Sequence, residues 1–182
     1  MKIRALMLMI VVAFAMPSWA QETPSKLEKK TLFGGNIEIM APSNFELLDS
    51  SVIDYKYPSA NKPKVVFSNV EMSINLAFSV KENASKSKIN ISLFTDIMAT
   101  TLKDALPGSK VLDQGVVRQN GGDFGYVEIR TKALDTQIYN LMYFVITEEE
   151  LIIVSFNCPM KLLKEWKPVA KDIMASLVVK GA

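Results

Sequence analysis

The chain has no histidine, and that absence excludes more chemistry than any residue present suggests. Without imidazole, Ser-His-Asp and Cys-His nucleophilic catalysis in their usual forms are ruled out. So is a zinc site built on histidine. There is one cysteine, Cys158. No intrachain disulfide can form, thiolate clusters for metals are excluded, and the hydrophobic core must supply the stability. Cys158 ends the apolar run IIVSFNCP, a position that suits a buried, inert thiol. The alternative is a reactive or intermolecularly bridged cysteine, and a reactive one needs an activating base nearby in space.

Excess charge of one sign is also missing. The sequence has 21 Lys and Arg against 19 Asp and Glu, and Lys2 and Arg4 account for the whole difference. From Gln21 onward the two signs balance, so there is no cationic patch to neutralise phosphates and nucleic acid is excluded as a partner. Long apolar runs are absent except at the start. There Lys2 and Arg4 precede twelve apolar residues, Ala5 to Met16, followed by Pro17, Ser18, Trp19 and Ala20. Small residues at Ser18 and Ala20 place a cleavage site between Ala20 and Gln21, the layout of a secretory signal. A spanning helix needs about 20 apolar residues, so the segment is too short for an anchor. No cysteine follows the cleavage site to carry a lipid. The expected protein is periplasmic or secreted and does not span the membrane.

What remains is one domain. Residues 1–20 are the signal, the polar stretch Gln21 to Lys30 (QETPSKLEKK) a flexible leader, and residues 31–180 a single α+β domain of ordinary size. Thr31 to Pro42 reads as a hairpin turning at Gly34-Gly35-Asn36. Asn44 to Leu48 is a short strand or turn. Ser51 to Pro58 and Lys64 to Ser68 are candidate strands, and Ser73 to Lys81 alternates with Ile74, Leu76, Phe78 and Val80 on one face. Asn90 or Ser92 caps a helix whose stripe is Leu93, Phe94, Ile97, Met98, Thr101, Leu102, Ala105 and Leu106, stopped by Pro107-Gly108.

Four strands follow: Val111–Arg118, Phe124–Thr131, Gln137–Thr147 and Leu151–Cys158. In the third, Ile138, Met142, Phe144 and Ile146 share one face, while Tyr139, Leu141, Tyr143 and Val145 share the other. A strand apolar on both faces must be covered on both, so the antiparallel sheet is expected between two helices. The closing helix starts at Pro159. It buries Leu162, Leu163, Trp166, Val169, Ala170, Ile173, Met174 and Leu177, with Pro168 breaking or kinking it near Glu165 to Lys167.

This succession, and above all Leu151 to Leu177 with its IIVSFNCP strand and WKPVAKDIMASL helix, resembles the PsbP/Mog-like fold and within it the bacterial DcrB-like group. The resemblance covers roughly Thr31 to Val179. It implies a layered α+β sandwich and a non-catalytic role in binding other proteins, with no family site residue to carry over. The chain lacks the lipidated cysteine of the lipoprotein members.

Local motifs add little chemistry. Ser85-Lys86-Ser87-Lys88 spells S-x-x-K but lies in a polar loop rather than at a helix start. Gly121-Gly122-Asp123-Phe124-Gly125 has strands on both sides, so it is a hairpin turn and not a phosphate loop. Asn83-Ala-Ser and Asn90-Ile-Ser carry no meaning as glycosylation signals in a bacterial setting. Glu148-Glu149-Glu150 is a solvated turn whose side chains diverge, not a cation site. A carboxylate pair can hydrolyse a glycosidic bond without histidine, but nothing in the sequence brings two together.

No enzyme activity, cofactor or metal is expected. The best surface candidate is Tyr55, Lys56 and Tyr57 with Lys62 and Lys64 nearby, since aromatics beside lysines suit a protein contact. The bland alternative is one packed tyrosine and a solvated loop. The function expected is an accessory or binding protein with a partner in the cell envelope. The alternatives are a carrier of a small apolar ligand or lipid and, last, a carboxylate hydrolase.

Overall fold

A computed structural model describes residues 24–59, 61–83, 89–133 and 136–182. The proposed cleavage site at Ala20 and Gln21, and the Ser85-to-Lys88 loop, lie outside them. The elements in chain order are β1 (Leu27–Leu32), β2 (Ile37–Pro42), β3 (Glu46–Leu47), α1 (Ser50–Lys56), β4 (Val65–Ser68), β5 (Asn75–Glu82) and α2 (Ile91–Ala105). They continue with β6 (Lys110–Gln119), β7 (Gly122–Lys132), β8 (Gln137–Ile146), β9 (Glu150–Pro159), α3 (Leu163–Ala175) and β10 (Val178–Val179). Seven strands form one antiparallel sheet in the order β3-β4-β5-β9-β8-β7-β6, and β1-β2-β10 form a second.

The two-sided apolar pattern of β8 has the consequence expected of it. Tyr139, Leu141 and Val145 pack with Phe78, Val154, Phe156 and Trp166 on one side. Phe144 packs with Val127, Ile129 and Ala99 on the other, where α2 lies. The covering layers differ from a plain pair of helices, however. Helices α1 and α2 share one face, while α3 and the three-stranded sheet share the other. Ile37 and Ile39, alternating along β2, are each 1% exposed because that small sheet turns one face inward.

Four local expectations need correction. The leader ends sooner than its polarity implies, because Leu27 to Lys30 already pair with Ile39 to Pro42. Ser51 to Pro58 is not a strand. Ser50 to Lys56 form a short helix that seats Ile53 against Val66 and Ala77. The stripe of α2 is rotated: Ile91, Phe94, Thr95, Met98, Ala99 and Leu102 face the sheet, while Leu93 and Ile97 are 60% and 53% exposed. Helix α3 runs unbroken through Pro168. Proline in its second turn removes a single backbone donor, and a 3-10 turn over Met160–Leu162 precedes the helix.

Helix α2 sits so close to β7 that a Cβ built on Gly125 would lie 1.9 Å from Thr95 Oγ1. The glycine is needed for approach, not for backbone freedom. Gly125→Ala is therefore expected to push α2 off the sheet and cost about 1–3 kcal/mol, as overpacking does. Combining it with Thr95→Ala should recover part of that loss, as read from urea unfolding midpoints; no recovery would refute the close-approach account.

Candidate functional site

Helix α1 and the turn between β4 and β5 meet at one corner of the large sheet. Buried Asn69, 3% exposed, organises the turn. Its side-chain oxygen accepts from the backbone N–H of Ser73 at 2.9 Å and of Ile74 at 2.8 Å. Its amide nitrogen donates to Glu71 Oε2 at 2.8 Å and to Ser73 Oγ at 3.2 Å. Met72 N–H donates to the Asn69 carbonyl at 2.9 Å, and Met72 is held at φ +54°, a conformation non-glycine residues seldom adopt. A buried polar side chain thus fixes a turn that presents Val70 and Met72 to solvent, 72% and 45% exposed.

Lys56, at the end of α1, ties helix to turn. Its ammonium donates to the Met72 carbonyl and to Asn75 Oδ1, the latter at 2.7 Å. Burial lowers its pKa from the ordinary lysine value. Beneath it a polar row crosses four strands, with Ser68 opposite Asn75, Asn75 opposite Asn157, and Asn157 opposite Asn140. Ser68 Oγ donates to Asn75 Oδ1 and Asn75 Nδ2 to Asn157 Oδ1, each at 2.9 Å. Tyr57 packs beside Ile53 and Ala77. Burial raises its pKa, and Asn157 beside it pulls the other way.

The five residues picked from the sequence are therefore only partly assembled. Lys56 and Tyr57 converge on the polar row. Tyr55, one residue away, projects outward at 90% exposure, so this pair contains one exposed and one packed tyrosine. Lys62 forms an ion pair with Asp54. Lys64 donates its backbone N–H to Phe78 and lies at the end of β4 away from the turn. Val70, Met72, Asn69 and Asn75 escape sequence reasoning. A polar turn with two apolar residues looks ordinary until its hydrogen bonds are seen.

A second set of exposed apolar side chains comprises Leu93 and Ile97 on α2 and Leu112 and Val116 on β6, the latter two 40% and 41% exposed. Its only sequence signal is the excessive width of the α2 stripe. Among the other motifs, Gly121 lies in the β6–β7 hairpin turn, Asn90 caps α2 by accepting from Leu93 N–H at 3.1 Å, and Glu148 and Glu149 lie in the β8–β9 turn. No group of three potential metal-ligating side chains occurs among the described residues. None of the described helices is long and apolar enough to cross a membrane.

Cys158 is fully buried, and burial pushes its thiol up to about 12. Native protein at pH 8 should resist iodoacetamide and label only on unfolding. Stoichiometric labelling of the folded chain would overturn this.

No family model matches the sequence, and no curated protein does. Solved structures do match. Cyanobacterial PsbP (CyanoP) from Synechocystis superposes with a TM-score of 0.65 at 16% identity, over 85% of this chain and 93% of its own. LpqN of Mycobacterium tuberculosis, involved in cell envelope biogenesis, gives 0.56 at 10% over 84% and 91%. The Ran-binding protein Mog1p of Saccharomyces cerevisiae gives 0.54 at 12% over 85% and 96%. Identity this low carries architecture alone, and the architecture is the PsbP/Mog-like fold.

Proposed function

We propose that this protein is exported to the cell envelope and works there as a non-enzymatic accessory protein, holding a protein partner at the corner formed by α1 and the β4–β5 turn. The observation that carries the reading is the pinned turn. The buried Asn69 side chain accepts two hydrogen bonds and donates two, and so holds Val70 and Met72 out in water on the turn that Lys56 ties to α1, the helix that also carries exposed Tyr55. A rigid turn displaying apolar side chains loses little conformational entropy when a partner covers them. Two of the structural neighbours are named for comparable work, one for binding Ran and one for envelope biogenesis. The narrower kinship with the DcrB-like group rests on the sequence pattern of Leu151 to Leu177.

The alternative of a small-ligand carrier needs room between sheet and helix. The contact of Thr95 with Gly125 leaves none at that point. Native mass spectrometry that finds stoichiometric lipid would reopen it.

The direct test is a photo-crosslinking residue at Val70, with Lys103 on α2 as a control position, in cells exporting the protein. A discrete adduct at Val70, absent at Lys103 and lost in Met72→Asp without loss of fold, is the expected result. Equal labelling at both positions, or none at Val70, would refute the corner as an interface.

A further inference from the structure

Lysine carries three N–H donors and a full positive charge. At Lys56 two of the three are used, and both acceptors are neutral: the Met72 carbonyl and the Asn75 side-chain oxygen. No carboxylate among the described residues lies within ion-pairing distance of it, although Lys62 in the neighbouring loop has Asp54 and Lys30 on β1 has Glu28. The side chain is half-buried, and burial alone already lowers its pKa. An ammonium withdrawn from water without a counter-ion is costly. Here it is held in place by a turn and a polar row that are themselves joined by hydrogen bonds.

We propose that the third donor of Lys56 receives a carboxylate from the partner, so that the corner recognises a protein segment with an Asp or Glu flanked by apolar side chains. The carboxylate completes the ammonium's coordination and supplies the missing charge. Exposed Val70 and Met72, on the turn that the ammonium binds, supply apolar contact beside it. An ion pair formed next to apolar cover is shielded from water and strengthened by it. The inference builds on the corner being an interface and adds the chemistry of what it binds.

The test is amide NMR of the 15N-labelled protein with two probes, acetyl-Leu-Glu-Leu-amide and acetyl-Leu-Gln-Leu-amide. The glutamate probe should shift the amides of Lys56, Met72 and Asn75 saturably. The glutamine probe should bind at least about tenfold more weakly, as should the glutamate probe to Lys56→Gln, the scale of a charge-assisted hydrogen bond. Lys56→Arg, which keeps the charge, should retain binding, and the amide spectrum of Lys56→Gln, unchanged away from the corner, shows that its loss of binding is not a folding defect. Equal binding of both probes, or no shift with either, overturns the acid anchor. Equal binding with shifts at Val70 and Met72 still leaves the corner as an interface, which the crosslinking experiment decides separately. Acetate matching the glutamate probe would reduce the site to a small-anion site. Competition by phosphatidylglycerol vesicles would make the occupant a membrane, and Lys56-dependent self-association would make it a second copy. Each of these overturns a partner segment.

Discussion

Replacing Trp166 by alanine is expected to cost about 3–5 kcal/mol, the usual penalty for emptying a large aromatic from a core. That is a large share of the roughly 5–15 kcal/mol that holds most domains folded. The indole is fully buried. It stacks on Phe45 with ring centres 5.7 Å apart and on Phe156 at 5.9 Å. Phe45 follows β2, Trp166 belongs to α3, and Phe156 to β9. The ring therefore joins the small sheet's loop, the helix and the large sheet. Three elements anchored elsewhere cannot all close on the void, so the cavity should persist at the upper end of the range. Trp166→Phe keeps much of the stacking and should lose clearly less. Urea unfolding of the two variants checks this, and a loss under about 1 kcal/mol for the alanine would contradict the joining role.

Removing both lysines that face Glu128 is expected to be nearly as damaging and to reverse the pH response. The Glu128 side chain is 1% exposed, with Lys167 Nζ at 2.6 Å and Lys171 Nζ at 3.1 Å. Burial pushes its carboxyl pKa up, but hydrogen bonds and charge from the two lysines overcome this and hold it below the usual carboxylate value. In the native protein the group therefore contributes stability above its unfolded pKa, and that contribution is lost as pH falls through the depressed folded value.

In Lys167→Met/Lys171→Met both positive charges are gone and the Tyr139 side chain is the polar neighbour left beside the carboxylate, so desolvation dominates and the folded pKa rises above the unfolded one. The variant should lose about 3–5 kcal/mol at pH 7, as a buried charge without its partners does. It should regain part of this as pH falls toward the ordinary carboxylate range, where the protonated form is the one folding favours. Methionine preserves the packing of the lysine stems, including the place of Lys167 over the Tyr139 ring at 5.6 Å. Adding Glu128→Gln to the double variant should flatten the pH dependence. Parallel stability–pH profiles for wild type and double variant would sink the account.

Much of the architecture was legible because burial leaves a local periodic trace. Strand β8 is apolar on both faces, and both faces are covered. Cys158 ends a mainly apolar run and is buried, and Trp166 has the helical phase of a core residue. The elements that misled are those whose state depends on distant partners. Ser50 to Lys56 contains Val52, Ile53 and Tyr55, which suit a strand equally well, and only the seat of Ile53 on Val66 and Ala77 selects the helix. Leu27 to Lys30 is polar enough for a leader, yet strand pairing with β2 orders it. The candidate site was legible only as a group of residue types. Tyr55, Lys56 and Tyr57 could be named, but Asn69, Val70 and Met72 acquire meaning only from hydrogen bonds across the turn.

By itself the sequence determined the excluded chemistry, the charge balance, the antiparallel strands and the need to cover their sheet on two sides. These follow from which side chains exist and how they alternate along the chain. The tertiary structure alone decided that a second sheet shares one cover with α3, that two lysines converge on Glu128, and that Lys56 has no carboxylate within ion-pairing distance among the described residues. Each is a juxtaposition of residues far apart in the chain, such as Val178 opposite Glu38 in the small sheet. Local periodicity holds no record of such distances.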